Sequence, residues 1–222
     1  MENSLLHVPS VYAMQLARAY PNIDIKEVFR LAGTHWRIPT YYPSMGTGGY
    51  CVPVSSKYVK MGATDPDVLT IINETIKFDQ DEPHFIAKII KHRGGKKVGI
   101  LGIAYKGDLK VHTLSPALKI INHLTKMGIK VMVHDPYYLQ DEIRDITGCS
   151  YFSYPDGLNQ FDTIVIIPAH RIYSQTPKMT LLKYIKKARL IMDNMGVWEK
   201  FREDFKEIGI TYCMVGDPNW CI

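Results

Sequence analysis

Apolar side chains recur at three- and four-residue spacing from residue 4 to residue 35, through Leu5, Leu6, Val8, Val11, Tyr12, Leu16 and Ala19. That spacing predicts helix. Pro9 falls inside the run, so the helix either starts near it or kinks there. Pro21-Asn22 ends the first helix, and Asp24 is a natural N-cap for a second over Ile25–Leu31. Residues 36–56 lose the period. They hold three prolines, three glycines and several aromatics, which predicts an ordered loop of the kind that carries function. Residues 65–92 return to helical spacing through Val68, Leu69, Ile72, Ile76, Phe85, Ile86, Ile89 and Ile90, with Pro66 suited to a first turn. Arg93-Gly94-Gly95-Lys96-Lys97 reads as a turn and as the domain boundary.

Beyond that turn short apolar runs alternate with helical stretches. Strands are expected at Lys97–Ala104, Ile129–His134, Tyr151-Phe152, Thr163–Ile167, Leu190–Asp193 and Thr211–Met214. Helices are expected from Ser115-Pro116 to Met127, near Leu181–Lys187, and over Glu199–Ile208. Ser115 is placed as N-cap with Pro116 in the first position, and Gly128 closes that helix. Alternation of this kind means parallel strands joined by crossover helices. The fold class is therefore α/β: an all-helical domain over residues 1–92, then a Rossmann-like parallel-sheet domain over residues 97–222.

Composition narrows the picture. Hydrophobic residues make up 46% and charged residues 22%, with 14 Tyr and 7 Phe, which excludes a disordered or coiled-coil chain. The net charge of +5 is spread evenly: residues 1–96 carry 11 basic and 9 acidic side chains, and the remainder 16 and 13. A weak affinity for anions fits this balance, and a nucleic-acid footprint, which needs a clustered stripe, does not. No apolar run reaches membrane-spanning length. The N-terminus lacks the basic stretch of a secretory signal. Cys51, Cys149, Cys213 and Cys221 form no CxxC pair and no zinc spacing with histidine. Free thiols in a reducing, cytoplasmic compartment and no metal are the expectation.

Three segments carry candidate chemistry. In Gly46-Thr47-Gly48-Gly49-Tyr50-Cys51 the glycines let backbone approach a ligand, and the cysteine behind them sits where a nucleophile would. The same residues also fit a structural cysteine buried beside a flexible turn. In Gly99 through Asp108 a strand runs into a Gly-rich turn ahead of a helix. This is a phosphate-site arrangement or a close strand–helix contact, with Lys106 placed to pair with a phosphate. The spacing is not GxGxxG, so the dinucleotide fingerprint is absent. Asp135 ends the second strand, where it could meet a ribose hydroxyl; an ordinary Asp-Pro turn is the favoured reading. His35 and His170 have no metal-spaced partners and read as ordinary polar or core histidines.

Two of these segments together resemble a known family. Thr34-His35 through Gly46-Thr47-Gly48-Gly49-Tyr50-Cys51-Val52-Pro53 is similar to the active-site loop of the UDP-glucose/GDP-mannose dehydrogenases, most of all the branch acting on UDP-N-acetylhexosamines. Gly102 through Asp108, followed by Ser115-Pro116-Ala117-Leu118, resembles the start of that family's UDP-binding domain. Asp135-Pro136-Tyr137 and Asp193 through Val197-Trp198 follow in order. The resemblance implies NAD-dependent oxidation of a UDP-sugar C6 alcohol to a uronate through a cysteine-bound thiohemiacetal and thioester. It implies Cys51 as nucleophile, Asn3 as an asparagine near the reacting centre, Gly46, Gly48, Gly49 and Tyr50 around the substrate, and Tyr105 and Lys106 at the UDP moiety. Residues 1–92 would be the central dimerising and substrate domain, and residues 97–222 the UDP-binding domain.

The departures are specific. The family's aspartate four residues after the cysteine is Ser55, and the acidic residues and arginine before Ser-Pro are replaced by Lys110, Val111 and Thr113. Nothing at Thr113 restores a guanidinium's bidentate grip. The asparagine expected on the later central helix is Asp79, and the lysine four residues before Asn3 would precede Met1. The family's first, NAD-binding domain has no counterpart here, so the expectation is a UDP-sugar dehydrogenase part that acts with an NAD-binding domain in trans, as a homodimer or with a partner chain. The alternative is a non-catalytic UDP-sugar-binding or dimerising remnant.

Overall fold

The computed structural model describes residues 1–221. Four helices come first: α1 (Glu2–Ala19), α2 (Ile25–Ala32), α3 (Cys51–Met61) and α4 (Thr70–Arg93). They are followed by β1 (Lys97–Leu101), α5 (Pro116–Lys126), β2 (Lys130–His134), α6 (Gln140–Thr147), β3 (Ser150–Tyr151), β4 (Thr163–Ile166), α7 (Arg171–Ser174), α8 (Lys178–Tyr184), β5 (Leu190–Asp193), α9 (Arg202–Glu207) and β6 (Thr211–Met214). The strands form one sheet in the order β3-β2-β1-β4-β5-β6, every neighbouring pair parallel. This is the doubly wound order, with the direction of progression reversing between β1 and β4.

The expected helix starts hold where a cap is present. The Asp24 carboxylate accepts from Glu27 N at 3.0 Å, and Ser115 Oγ accepts from Ala117 N at 3.2 Å with Pro116 in the first turn. Other boundaries differ for local reasons. Helix α1 begins at Glu2 and continues through Pro9. A proline leaves the carbonyl four residues back without an N–H, and Ser10 Oγ nearby donates to Leu6 O at 2.8 Å. The expected loop over residues 36–56 ends at Tyr50, because Pro53 sits in the first turn of a helix. Residues 65–92 do not form one helix: Pro66–Val68 is a single 3-10 turn, and α4 starts after Leu69 leaves the helical region. Strand β1 stops at Leu101, where Gly102 adopts φ 88°. Helix α6 was not anticipated, since only Ile143 in it is buried and its periodic signal is thin.

Alternation along the strands builds two cores. On one face Val98, Ile100, Val133 and Val165 pack with Ile120 and Leu124 of α5 and with Ile86 and Ile90 of α4. On the other, Ile164, Ile166 and Ile191 pack with Tyr173, Leu181, Trp198 and Phe205. The first core is shared, because α4 lies on α5 and brings Ala13 and Ala17 of α1 with it. Each such fully buried aliphatic contributes about 1.5–3 kcal/mol. The end of the chain folds back over this seam. Trp220 Nε1 donates to Ala17 O at 3.0 Å, and Arg93 Nη1 donates to Trp220 O at 2.6 Å. Among the described residues no helix is long and apolar enough to cross a membrane.

Candidate functional site

Cys51 is the first residue of α3 and is exposed; Cys149 and Cys213 are buried and Cys221 is half-buried. The structure thus removes the buried-cysteine reading of the glycine loop. The exposed thiol contrasts with Cys213, whose burial pushes its own thiol up to about 12. Cys51 thus stands at the start of a helix, the end whose unpaired N–H groups favour anions. At 100° per residue Ser55 shares the cysteine's face of α3, and Pro53 and Lys57 lie on the opposite one.

The loop ahead of Cys51 is held from two sides. On the sheet side, Gly49 N donates to Thr113 O at 2.9 Å and Tyr105 N donates to Val111 O at 3.0 Å. Gly48 lies so close to Tyr105 that a Cβ on it would stand 2.5 Å from Tyr105 Cβ, and one on Gly49, where φ is +78°, would meet the Tyr105 ring at 3.0 Å. Gly46 faces Pro116 and Pro83. The two sequence motifs therefore meet: the glycine loop is seated on the Tyr105 segment, and the glycines serve this close approach. Tyr50 and Lys106, which follow the two contact points, are exposed. Met45 N donates to Asn194 Oδ1 at 2.8 Å, which ties the loop to the carboxyl end of β5.

On the helical side the loop is held by a cluster that joins Thr47 and Asp79, both singled out in the sequence, to His7 and Ser56, which were not. Thr47 N donates to Asp79 Oδ1 at 2.8 Å and Thr47 Oγ1 donates to Asp79 Oδ2 at 2.6 Å. His7 Nε2 lies 3.5 Å from the same oxygen, and His7 Nδ1 is 2.8 Å from Ser56 Oγ. His7, Ser56 and Asp79 are all buried. Burial pushes the Asp79 carboxyl up, but hydrogen bonds from His7 and Thr47 outweigh it and hold the group below the usual carboxylate range. A recess of about 150 Å³ opens beside this cluster, lined by His7, Thr47, Pro53, Lys57, Asp79 and Lys119. Asn3 lies on α1 one turn before His7, is half-buried, and makes no side-chain hydrogen bond among the described residues.

The Gly-rich turn after β1 is closed by its own chain. Ile103 N and Ala104 N donate to Asp135 Oδ2 at 2.8 and 3.3 Å, and Tyr137 N donates to Asp135 Oδ1 at 3.0 Å. Asp135 is therefore a strand-end turn residue, as favoured. Burial raises its carboxyl and these donors, with His170, outweigh that and lower it. His170 is a core histidine. Its Nδ1 accepts from Asp108 N at 2.8 Å, so its Nε2 carries the hydrogen and faces Asp135 Oδ2 at 3.3 Å. Asp108 is held below the usual carboxylate range by the Arg171 N–H and guanidinium, and it pins the segment that carries Lys106. His35 is exposed and stacks on Trp36. No group of three or more His, Cys, Asp or Glu among the described residues could hold a metal ion.

The class the geometry defines is a doubly wound parallel sheet whose carboxyl-end loops abut a glycine-rich loop and an exposed cysteine on a helical layer. Residues 2–80 match the central domain of the UDP-glucose/GDP-mannose dehydrogenase family, and residues 99–200 match that family's UDP binding domain. The chain belongs to this family.

Its relatives include the UDP-N-acetyl-D-mannosamine dehydrogenase of Methanococcus aeolicus, 25% identical over all of this chain and 51% of that protein. The enzyme of the same name from Methanocaldococcus jannaschii is 28% identical over 93% of this chain and 48% of that one. Among solved structures, the UDP-D-ManNAc dehydrogenase of Pyrococcus horikoshii superposes with a TM-score of 0.79 at 22% identity, over 99% of this chain and 51% of that one. The NDP-N-acetyl-D-galactosaminuronic acid dehydrogenase of Methanosarcina mazei Go1 gives the same TM-score at 21% identity, covering 99% and 50%. These structural likenesses establish the fold. The chain spans about half the length of the curated relatives it matches.

Proposed function

We propose that this chain supplies the central and UDP-binding parts of a nucleotide-sugar 6-dehydrogenase acting on a UDP-N-acetylhexosamine, with Cys51 as the nucleophile. Residues 1–92 form the central, dimerising and substrate-binding part, and residues 97–222 the part that binds UDP. The observation that carries this reading is the seating of Gly48 and Gly49 on Tyr105, beside an exposed Cys51. It brings the segment proposed to meet UDP against the segment that leads into the thiol. Lys106, exposed and without an ion-pair partner among the described residues, is placed to meet the diphosphate.

The chemistry of this chain centres on an aldehyde at the sugar's C6. The Cys51 thiolate adds to the aldehyde carbon, the S–C bond forms, and the carbonyl oxygen takes up a proton to give a thiohemiacetal. The Asn3 amide donates to that oxygen as its charge develops. Gly46 and Tyr50 complete the wall around the sugar. The sheet does not fit NAD: its turn lacks GxGxxG, and the Ile103 and Ala104 amides that would face a pyrophosphate are already given to Asp135. In this reading NAD is brought by a domain outside these residues, supplied in trans, with the chain as a homodimer or with a partner chain.

A second reading is favoured by one position. Ser55 shares the thiol's face where the family resemblance expects an aspartate, and a hydroxyl cannot act as the carboxylate base for a water. In that reading the chain binds UDP-sugars without turnover. Incubation with a UDP-aldehydo-sugar followed by mass spectrometry separates the readings. A covalent adduct that disappears in Cys51→Ser supports the enzyme part, and NADH production on adding an NAD-binding domain extends it. UDP-sugar binding with no Cys51-dependent adduct would overturn it in favour of the second.

A further inference from the structure

The polar cluster behind α3 joins four separate segments: buried His7 from α1, Ser56 from α3 and Asp79 from α4, with half-buried Thr47 from the glycine loop. Between Gly46 and Gly49, Thr47 is the single residue with a side chain, so the loop's polar anchorage to the helical layer passes through it. Both its donors, N–H and O–H, end on one carboxylate, each within 2.8 Å. The cluster does not share the thiol's face of α3. Counting from Cys51 at 100° per residue, Ser55 stands at about 40°, Ser56 at about 140° and Pro53 at about 200°. His7 therefore meets the cysteine helix from behind, at Ser56, and Asp79 stands beyond it.

The direction of each hydrogen bond follows from Asp79 being ionised. A carboxylate only accepts. The Thr47 hydroxyl must then donate to it, and the hydrogen of His7 belongs on Nε2, toward Asp79 and Thr47. In a ring with one hydrogen, that leaves His7 Nδ1 to accept from Ser56 Oγ at 2.8 Å. Asparagine at 79 would keep an acceptor for Thr47 N–H but turn its amide hydrogens toward Thr47 Oγ1 and His7 Nε2. His7 would then carry its hydrogen on Nδ1, and Ser56 would accept. One oxygen-for-nitrogen exchange reverses every bond of the chain except that of Thr47 N–H.

We propose that Asp79 is a positioning residue for Cys51. It clamps the glycine loop through Thr47, and through His7 and Ser56 it holds the first turns of α3, so the thiol is presented at a fixed helix start. His7 bridges Asp79 to Ser56 and so carries the clamp to α3. The proposal rests on the reading of Cys51 as the nucleophile. It concerns how the thiol is held, and not what it captures.

The test uses the full chain and three near-isosteric variants: Asp79→Asn, Thr47→Val and Thr47→Ser. Nitrogen-resolved NMR of the His7 ring reports which nitrogen is protonated. Hydrogen exchange reports the Thr47 amide, and iodoacetamide alkylation followed by peptide mass spectrometry reports the Cys51 rate at fixed pH. Asp79→Asn is expected to move the His7 hydrogen from Nε2 to Nδ1 and to speed Thr47 amide exchange by about tenfold, as its acceptor changes from a carboxylate to a neutral amide. Cys51 alkylation should slow by about two- to fivefold as the helix start loosens. Thr47→Val should speed loop exchange and slow alkylation with the His7 hydrogen still on Nε2. Thr47→Ser, which keeps both donors, should restore wild-type values, and a merely structural effect of mutation at 47 would not be rescued in this way. Wild-type Thr47 exchange and a wild-type Cys51 rate in Asp79→Asn would overturn the proposal, as would a His7 hydrogen on Nδ1 in the wild type. No nucleotide sugar is present in these assays, so their failure is separate from the absence of a Cys51 adduct with a UDP-aldehyde.

Discussion

Replacing Gly48 by alanine tests the seam between the helical layer and the sheet, because the sign of its effect depends on one contact. Gly48 does not have a positive φ, so alanine can adopt its backbone conformation. In open space the substitution would stabilise the protein by about 0.4–1 kcal/mol, through a stiffer unfolded chain. Here the added Cβ would stand 2.5 Å from Tyr105 Cβ, and Pro116 Cδ, at 3.2 Å, crowds it as well. A Cβ cannot swing aside as the end of a long side chain can, so the Tyr105 segment itself has to move by about 1 Å to reach ordinary contact. Overpacking of that kind costs about 1–3 kcal/mol. The net expectation is a loss of about 1–2 kcal/mol, or a Tm lower by about 2–8 °C for a chain of this size. Urea denaturation of the wild type, Gly48→Ala, Tyr105→Gly and the double variant closes a cycle in which Tyr105→Gly removes the opposing Cβ. The cost of Gly48→Ala should vanish in that background. A neutral or stabilising Gly48→Ala, or an equal cost in both backgrounds, would refute the reasoning.

Three further outcomes follow from buried or capping groups. His134 is buried among Tyr151, Phe152, Tyr154 and Tyr173, and burial pushes it down to about 4. The unfolded chain takes up this proton below about pH 6.5 while the folded one does not until about pH 4, so the wild type should lose roughly 3 kcal/mol relative to His134→Gln as pH falls through that window; parallel urea curves would count against it. Glu82 is raised to about 8 by burial, which the Arg18 guanidinium 2.5 Å away only partly offsets. Its contribution is present below the unfolded value near 4.5 and is lost as pH rises through 8, so wild type should fall by roughly 4 kcal/mol against Glu82→Gln between pH 4.5 and 9, read by the same titration. Asp24→Ala removes the acceptor for Glu27 N and should cost about 1 kcal/mol in thermal unfolding, with Asp24→Asn close to wild type.

The parallel α/β half was legible because its strands are short apolar runs bounded by turn residues. Leu190–Asp193 and Thr211–Met214 fall where their patterns place them. Helix starts were legible where the capping side chain is local in sequence, as at Asp24 and Ser115. The start of α3 was obscured by composition: three prolines and three glycines read as loop, although Pro53 is also a good first-turn residue and Val52, Ser56 and Val59 keep a helical spacing behind it. Helix α6 buries one aliphatic and leaves almost no period to find. The site was legible where motif residues touch each other, as Gly48, Gly49 and Tyr105 do. It was illegible where contact depends on folding together distant segments: 40 residues separate His7 from Thr47 and 32 separate Thr47 from Asp79. No local signal encodes such a meeting.

The position of negative charge around the thiol changes how the two substitutions should be weighed together. The resemblance expects an acid at 55 and an amide at 79; this chain has a hydroxyl at 55 and an acid at 79. At 55 an acid would share the face of α3 that carries Cys51, close enough to serve a water and to oppose a thiolate. At 79 it sits behind the helix, buried, with its two oxygens occupied by Thr47 and approached by His7. A carboxylate so engaged holds its charge and fixes a loop, and it cannot take a proton from a water on the far side of α3. The arrangement therefore favours presenting the thiol over completing a hydrolysis. In the proposed function, capture of an aldehyde needs a positioned thiolate and an oxyanion donor, the roles proposed for Cys51 and Asn3. Release of an acid needs a base on the thiol's face, and Ser55 provides none.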